Sequence, residues 1–176
     1  PRFEVIGLAI KVNDEDTQWY SGSYETTKLW LEQFDWKGSL VLAHNCLFDG
    51  AILSWRFGIN PAGWLDTLSM ARALHGVDAG GSLKALAERY GVGVKGTEVD
   101  DADGKHRWDF SDEELASYAA YCINDVDLTY DLFKIMGSNF PKKELKLIDA
   151  TLRCYTHPVL ELDTTVLNNH LENLID

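Results

Sequence analysis

The sequence predicts an α/β layered fold on three observations: short apolar stretches of strand character, helical patterns that alternate with them, and turn residues at each change. Phe3-Glu-Val-Ile-Gly-Leu-Ala-Ile-Lys-Val12 is apolar and β-branched nearly throughout, as a strand covered on both faces would be. Asn13-Asp-Glu-Asp16 follows as a solvated turn, and Thr17 to Ser21 reads as the returning strand of a hairpin. Tyr24 to Trp36 carries Leu29, Trp30, Leu31 and Phe34 on a helical pattern that Lys37-Gly38 ends. Ser39 to His44 is a second short buried strand; it runs into Asn45-Cys-Leu-Phe-Asp49, and Ala51 to Phe57 is helical up to Gly58. Trp64-Leu-Asp-Thr67 opens another helix, with Asp66 or Thr67 as its N-cap, and Gly80-Gly-Ser82 caps a helix from Leu83 to Tyr90 that ends at Gly91. Residues 92 to 110 hold Gly93, Gly96, Gly104 and the acidic Asp100, Asp101 and Asp103, and are expected to form a mobile surface loop. Ser111-Asp-Glu-Glu114 is a capping box that opens a long helix to about Met136. Past Gly137 and Pro141 come an amphipathic segment, an extended piece around Val159 to Leu162 and a last helix from Asp163.

Composition narrows the function classes. The chain has 176 residues, 45% of them hydrophobic, and a net charge of −12, which describes one acidic globular domain with enough length for a sizeable core. Its apolar runs, such as Val5 to Ile10 interrupted by Gly7, fall far short of the roughly 20 residues a spanning helix needs, so no membrane partner is expected. Cys46, Cys122 and Cys154 are widely spaced and odd in number; they fit neither a disulfide scaffold nor a CxxC metal knuckle, and a reducing, cytoplasmic setting is expected. The opening Pro-Arg enters an apolar strand at once, as in a chain that starts inside a domain. Acidity argues against an extended duplex footprint, since long nucleic acid is gripped by Lys and Arg. It leaves open a pocket that holds a few nucleotides around metal ions, because carboxylates bind hard cations and the cations neutralise the phosphates.

Two stretches could carry chemistry. Asn45, Phe48 and Asp49 lie just past the carboxyl end of a strand, where open α/β sheets place their sites. Asp49 is either a functional carboxylate or the N-cap of the helix that follows. Tyr121 and Asp125 stand four residues apart in the long helix and so project from one face. Asp is a poor helix former, and burying it unpaired within Tyr-Cys-Ile-Asn-Asp-Val would cost several kcal/mol. A metal ion would remove that conflict; the other reading exposes Asp125 on a solvated face with Tyr121 filling core. The five histidines are too scattered for a zinc site, and Gly91-Val-Gly-Val-Lys-Gly96 lacks the context and the Ser or Thr after Lys that a phosphate loop needs.

Together, Asn-x-x-Phe-Asp after a strand, Asp-Thr opening a helix, Ser-Leu-x-x-Leu-Ala and Tyr-x-x-x-Asp resemble the proofreading 3′–5′ exonucleases of the DEDD superfamily, in the variant whose last motif carries Tyr. The resemblance runs from about Phe3 to Met136 and is closest to the exonuclease domains of phage-type family A DNA polymerases, where stretches similar to Tyr121-Cys-Ile-Asn-Asp-Val-Asp-Leu-Thr129 are frequent. Arg153 and Pro158-Val-Leu-Glu-Leu-Asp163 resemble the passage from exonuclease into polymerase domain. It implies a ribonuclease H-like fold, a mixed sheet with flanking helices, and an exonuclease domain over residues 1–137 followed by a connecting segment over 138–176.

The resemblance also implies a mechanism. Two divalent ions, Mg²⁺ or alternatively Mn²⁺, flank the terminal phosphodiester of a single-stranded DNA 3′ end; one activates water and the other stabilises the leaving 3′ oxygen. Asp125 would bind the first ion and Tyr121 orient its water, Asp49 would serve the second ion, and Asn45 and Phe48 would shape the pocket for the terminal nucleotides. The family's first motif, Asp-x-Glu on the leading strand, is not found: Phe3 to Val12 matches the second strand, and Glu4 lacks a paired Asp two residues earlier. The leading strand is therefore expected to lie outside this chain. The expected function is proofreading alongside a polymerase domain of the same parent chain. The alternatives are a catalytically incomplete module that binds DNA or a partner, and a stand-alone RNA exonuclease.

Overall fold

The computed structural model describes residues 3–96, 104–159 and 161–175. The expected acidic loop residues Asp100, Asp101 and Asp103, and Leu160 of the tail, lie outside them. The architecture is mixed α/β, with two small sheets and flanking helices. Strand β1 (Leu8–Ile10) pairs antiparallel with β2 (Gln18–Tyr20), matching Leu8 with Tyr20 and Ile10 with Gln18. Asn13 turns the hairpin in the left-handed region at φ 51°, a conformation Asn tolerates better than most residues. After α1 (Tyr24–Leu31), strand β3 (Leu40–Ala43) pairs parallel with β4 (Gly63–Asp66), with Ala43 opposite Asp66. The crossover between them carries α2 (Cys46–Ala51), which continues into a wider π-helical turn over Ile52–Arg56.

The rest is helical: α3 (Thr67–His75), α4 (Leu83–Tyr90), α5 (Asp112–Gly137), α6 (Lys142–Thr156) and α7 (Thr164–Ile175). Local chemistry sets their ends. The Ser82 hydroxyl caps α4, and Gly91 ends it at φ 65°. Ser111 accepts from the Glu114 N–H while Glu114 accepts from the Ser111 N–H at 2.8 Å, the capping box read in the sequence. No helix of the described residues is long and apolar enough to cross a membrane.

Two apolar clusters hold these elements. One joins α3, α4 and α5 through Met70, Leu86, Leu128, Leu132 and Met136. The other collects Leu31, Cys46, Leu53, Phe57, Trp64 and Leu152, and residues of both sheets pack on it, Leu8 and Ile10 from β1 and Val41 and Ala43 from β3. Ile148 of α6 touches both clusters.

The structure differs from the sequence reading at two places. The first strand is confined to Leu8–Ile10, and β1 and β3 are half-buried, with Leu40 exposed, instead of enclosed on both faces. Among the described residues each has one strand partner, so one edge of each is left unused by the sheet there. Trp64 and Leu65 belong to strand β4 and not to a helix, which begins only after Asp66.

Residues beyond 137 begin with α6, which packs on α2 and β4. A Cβ at Gly50 would lie 2.9 Å from Thr156 Cγ2, so the absence of a side chain there lets α2 and α6 cross closely. Asp149 accepts the Trp64 N–H at 2.8 Å and pairs with Arg153, which donates to the Ala62 carbonyl at 2.7 Å. Asp149→Ala is expected to leave the Trp64 N–H without its acceptor and to lower stability by about 1 to 3 kcal/mol, measured by urea unfolding. Asp149→Asn, which keeps an acceptor, should recover most of that loss; equal losses would show that the acceptor does not matter.

Candidate functional site

The site forms where β3 and β4 end side by side. Asp66, 4% exposed, closes β4 and caps α3, accepting the Leu68 N–H at 3.0 Å and the Ser69 hydroxyl at 2.6 Å. Its Oδ1 also accepts the Asn45 N–H at 2.9 Å across the parallel pair. That bond holds Asn45 in the left-handed region (φ 67°, ψ 54°) as the residue that starts α2. Asp49 therefore lies inside the first turn of α2; the N-cap reading of Asp49 is not what the structure shows, because the helix starts earlier than its polarity suggests. Behind this corner His44 Nδ1 meets the Thr67 hydroxyl at 2.9 Å, and burial holds the imidazole below its ordinary pKa.

From the other side α5 presents Tyr121 and Asp125 on one face. Tyr121 is 9% exposed, so the reading that fills core with it holds for the ring, while its hydroxyl is engaged in the site. Asp125 is not on a solvated face: its Oδ1 is buried without a hydrogen-bond partner among the described residues. The partner of its other oxygen is Lys95, on the stretch between α4 and the undescribed residues. The Lys95 ammonium bonds to Asp125 Oδ2, donates to the Tyr121 hydroxyl at 2.5 Å and lies 4.5 Å from the Tyr121 ring centroid. Asn124 of α5 fixes that stretch by donating to the Val94 carbonyl at 3.0 Å. Burial works against the Lys95 charge, but the bonds to Asp125 and Tyr121 outweigh it and hold its pKa above the ordinary lysine value. Burial lifts the Tyr121 phenol above its usual range, against the pull of Lys95.

The two motifs sense each other electrostatically. Asp49 is pushed up to about 6 by burial first and then by the charges of Asp66 and Asp125. Burial and the Asp125 charge push the Cys122 thiol up to about 12, with Asp49 adding to it, and Cys46 is raised as well, so neither thiol is a nucleophile. Asn45 and Phe48 line a neighbouring open cleft of about 750 Å³ with Leu47, Trp55, Arg56 and Tyr155; Asp49, Tyr121 and Asp125 do not line it. Phe48 is 60% exposed, so its ring is free to stack.

Glu4, the unpaired carboxylate of the first strand segment, points elsewhere: it accepts from His106 at 2.8 Å. Asp14, Glu15 and Asp16 are exposed in the hairpin turn. Sequence reasoning took Asp66 for a cap alone and passed over Lys95. Nothing local to Gly-Val-Lys-Gly marks Lys95; only its meeting with residues 26 and 30 positions away does.

Among the described residues no three His, Cys, Asp or Glu side chains are grouped to hold an ion. Asp66 is engaged by three donors and Asp125 by Lys95, which leaves Asp49 and one oxygen of Asp125 as candidate ligands. Mg²⁺ demands about six oxygens, and two ions demand more than these carboxylates offer.

The sequence model of the 3′-5′ exonuclease family of the DNA polymerase A type matches residues 22–140, a stretch that contains Asn45, Asp49, Asp66, Lys95, Tyr121 and Asp125. Comparison with curated proteins and with solved structures gives no match.

The shift of Asp49 has a sign that can be tested. Its pKa is higher folded than unfolded, so the fold binds this proton more tightly; the stabilisation is present below about pH 4 and is lost as pH rises through about 6. With chelator present, Asp49→Asn, which stays neutral, should be more stable than the parent by about 1 to 3 kcal/mol at pH 8 and equal to it near pH 4. Urea unfolding at both values checks this. A gain that is the same at both would assign it to packing.

Proposed function

The chain belongs to the 3′-5′ exonuclease family of the DNA polymerase A type, and on that premise we propose that it is the proofreading domain of a DNA polymerase, hydrolysing the terminal phosphodiester of a single-stranded DNA 3′ end. The observation that carries this reading is that Asp49 of α2 and Asp125 of α5 lie near enough for the Asp125 charge to help raise the Asp49 pKa, behind burial and the Asp66 charge. A perturbed carboxylate with charged partners brought from separate elements is a mark of a functional site.

In this reading Asp49 and Asp125 are ligands for divalent ions, Mg²⁺ or Mn²⁺, and the ligands they lack come from an Asp-x-Glu strand outside these residues. The unused edges of β1 and β3 support a place for that strand between them, in a ribonuclease H-like sheet, since residues of both pack on one cluster. The Tyr121 hydroxyl, which accepts from Lys95, would orient the attacking water. Asn45 and Phe48 receive the terminal nucleotides, the exposed ring stacking on a base without reading it. The segment over 138–176 passes towards the polymerase domain, in agreement with the exposed Val159, Leu162, Val166, Leu167, Leu171 and Leu174, which no described residue covers.

A second reading for the chain by itself, a module that positions a strand without cutting it, is favoured by the Lys95 ammonium, which bonds to the Asp125 carboxylate. One experiment separates the two. In the parent protein, assayed with Mg²⁺ on 3′-end-labelled single-stranded DNA, Asp125→Ala should lower the rate by more than about 1,000-fold, as expected when a ligand is lost, and leave polymerisation intact. Tyr121→Phe removes one orienting hydrogen bond and should cost about 10- to 100-fold. Cleavage by Asp125→Ala at the parent rate would refute the exonuclease reading; no cleavage by the parent would favour the positioning module.

A further inference from the structure

The cleft that Asn45 and Phe48 line extends away from the acidic corner to Trp55, Arg56 and Tyr155, and the proposed reaction uses only its near end. Phe48 and Trp55 stand seven residues apart and both border the cleft, as positions i and i+7 of one helical face do. Trp55 belongs to the wider turn over Ile52–Arg56, a π-helical insertion of a kind that is frequent at functional sites. It is 59% exposed and belongs to neither apolar cluster, so core packing does not account for it.

The ring is nevertheless held in place. Its Nε1–H donates to the Tyr155 carbonyl of α6 at 3.2 Å, and its centroid lies 4.6 Å from that of the Tyr155 ring. An aromatic ring anchored in this way and still open to solvent loses little further freedom when a planar partner stacks on it. Arg56 is the one charged side chain among the described residues that line the cleft. Its guanidinium carbon lies 4.7 Å from the Tyr24 ring centroid, and it enters none of the ion pairs among the described residues. In a chain of net charge −12, an arginine that no carboxylate engages, set between exposed aromatic faces, complements a strand of planar bases joined by phosphates.

We propose that Trp55 and Arg56 form a second nucleotide subsite in this cleft, Trp55 stacking on a base upstream of the terminal one at Phe48 and Arg56 pairing with a phosphate between them. Seven residues of helix at about 1.5 Å each span roughly 10 Å, which is about three nucleotide steps at roughly 3.4 Å, so Trp55 meets the third or fourth base from the 3′ end. The subsite grips the strand by its bases and backbone and needs no ion at the carboxylates. It therefore sets how tightly a single strand is held, whatever its sequence, since every base has a face to stack. This inference rests on the exonuclease reading for the identity and direction of the strand.

The test uses the parent protein in chelator and a short single-stranded DNA labelled at its 5′ end, with binding followed by fluorescence anisotropy. On irradiation, 5-iododeoxyuridine at the third or fourth position from the 3′ end should crosslink to Trp55. Trp55→Ala should weaken binding by about 5- to 100-fold, the worth of one stacked base, and Trp55→Phe should recover most of that loss. With abasic residues at the third and fourth positions, Trp55→Ala and the parent should bind alike, which a merely structural role of Trp55 would not produce. Arg56→Gln should reduce the slope of log affinity against log salt by about 0.7, the share of one phosphate. No crosslink to Trp55, a Trp55→Ala loss of equal size on the abasic strand, or binding that neither variant alters overturns the proposal; the last is the result expected if the cleft receives protein instead. None of these measurements reads cleavage, so the exonuclease reading stands or falls separately, on the Asp125→Ala assay. Stacking on Trp55 by a parent that does not cleave would leave the subsite in place within a positioning module.

Discussion

A single carboxyl group, that of Asp66, fixes the geometry on which the candidate site depends. It is nearly inaccessible to solvent and accepts three hydrogen bonds, from the start of α3 and from the backbone of Asn45. Hydrogen bonds to an ionisable oxygen are stronger than neutral ones, and a donor left unpaired at this depth would carry a desolvation penalty. The chain therefore turns at Asn45 in a left-handed conformation that it would otherwise avoid, and α2 starts there. Asp49 lies in that helix's first turn as a consequence. The same charge adds to the burial that lifts the Asp49 pKa, so Asp66 bears both on where Asp49 stands and on how readily it ionises.

The electrostatic problem that follows is an excess of negative charge in a corner that water reaches poorly. Asp49, Asp66 and Asp125 come from three elements, and a helix N-terminus relieves only Asp66 by direct capping of α3. Asp49 is relieved by holding a proton more tightly, and Asp125 by Lys95. These are different physical solutions to one conflict, a proton in one place and an ammonium in the other.

Local signals in the sequence were legible, and long-range ones were not. The capping box at Ser111, the caps at Ser82 and Asp66 and the stop at Gly91 were read correctly because each depends on residues within one helical turn. Trp64-Leu65 was misread as the opening of a helix because a four-residue apolar run in front of a cap has no period long enough to distinguish strand from helix. The spacing of Tyr121 and Asp125 gave their common face, and the cost of burying Asp125 left two readings, a metal ion beside it or a solvated face. The partner it has, Lys95, could not be read, since it is set by where the chain returns after α4. The resemblance supplied the family, while the pairing of the sheets into two separate halves came only from the structure.

The four residues of β4 carry more of this organisation than their length suggests. At one end Trp64 donates its N–H to Asp149 of α6 and packs its ring, 1% exposed, in the second apolar cluster; at the other Asp66 anchors α2 and α3. Both ties run through the backbone of one strand, whose register against β3 is held by four residue pairs. A shift of that register by one residue would reverse which side chains face the core, and so would place Trp64 and Asp66 wrongly together. The parallel pair is thus held by α6 at the edge remote from the acidic corner. The precision of the corner derives from packing made outside it, with the burial of Trp64 as the largest single contribution, since large aromatic side chains bury the most apolar area.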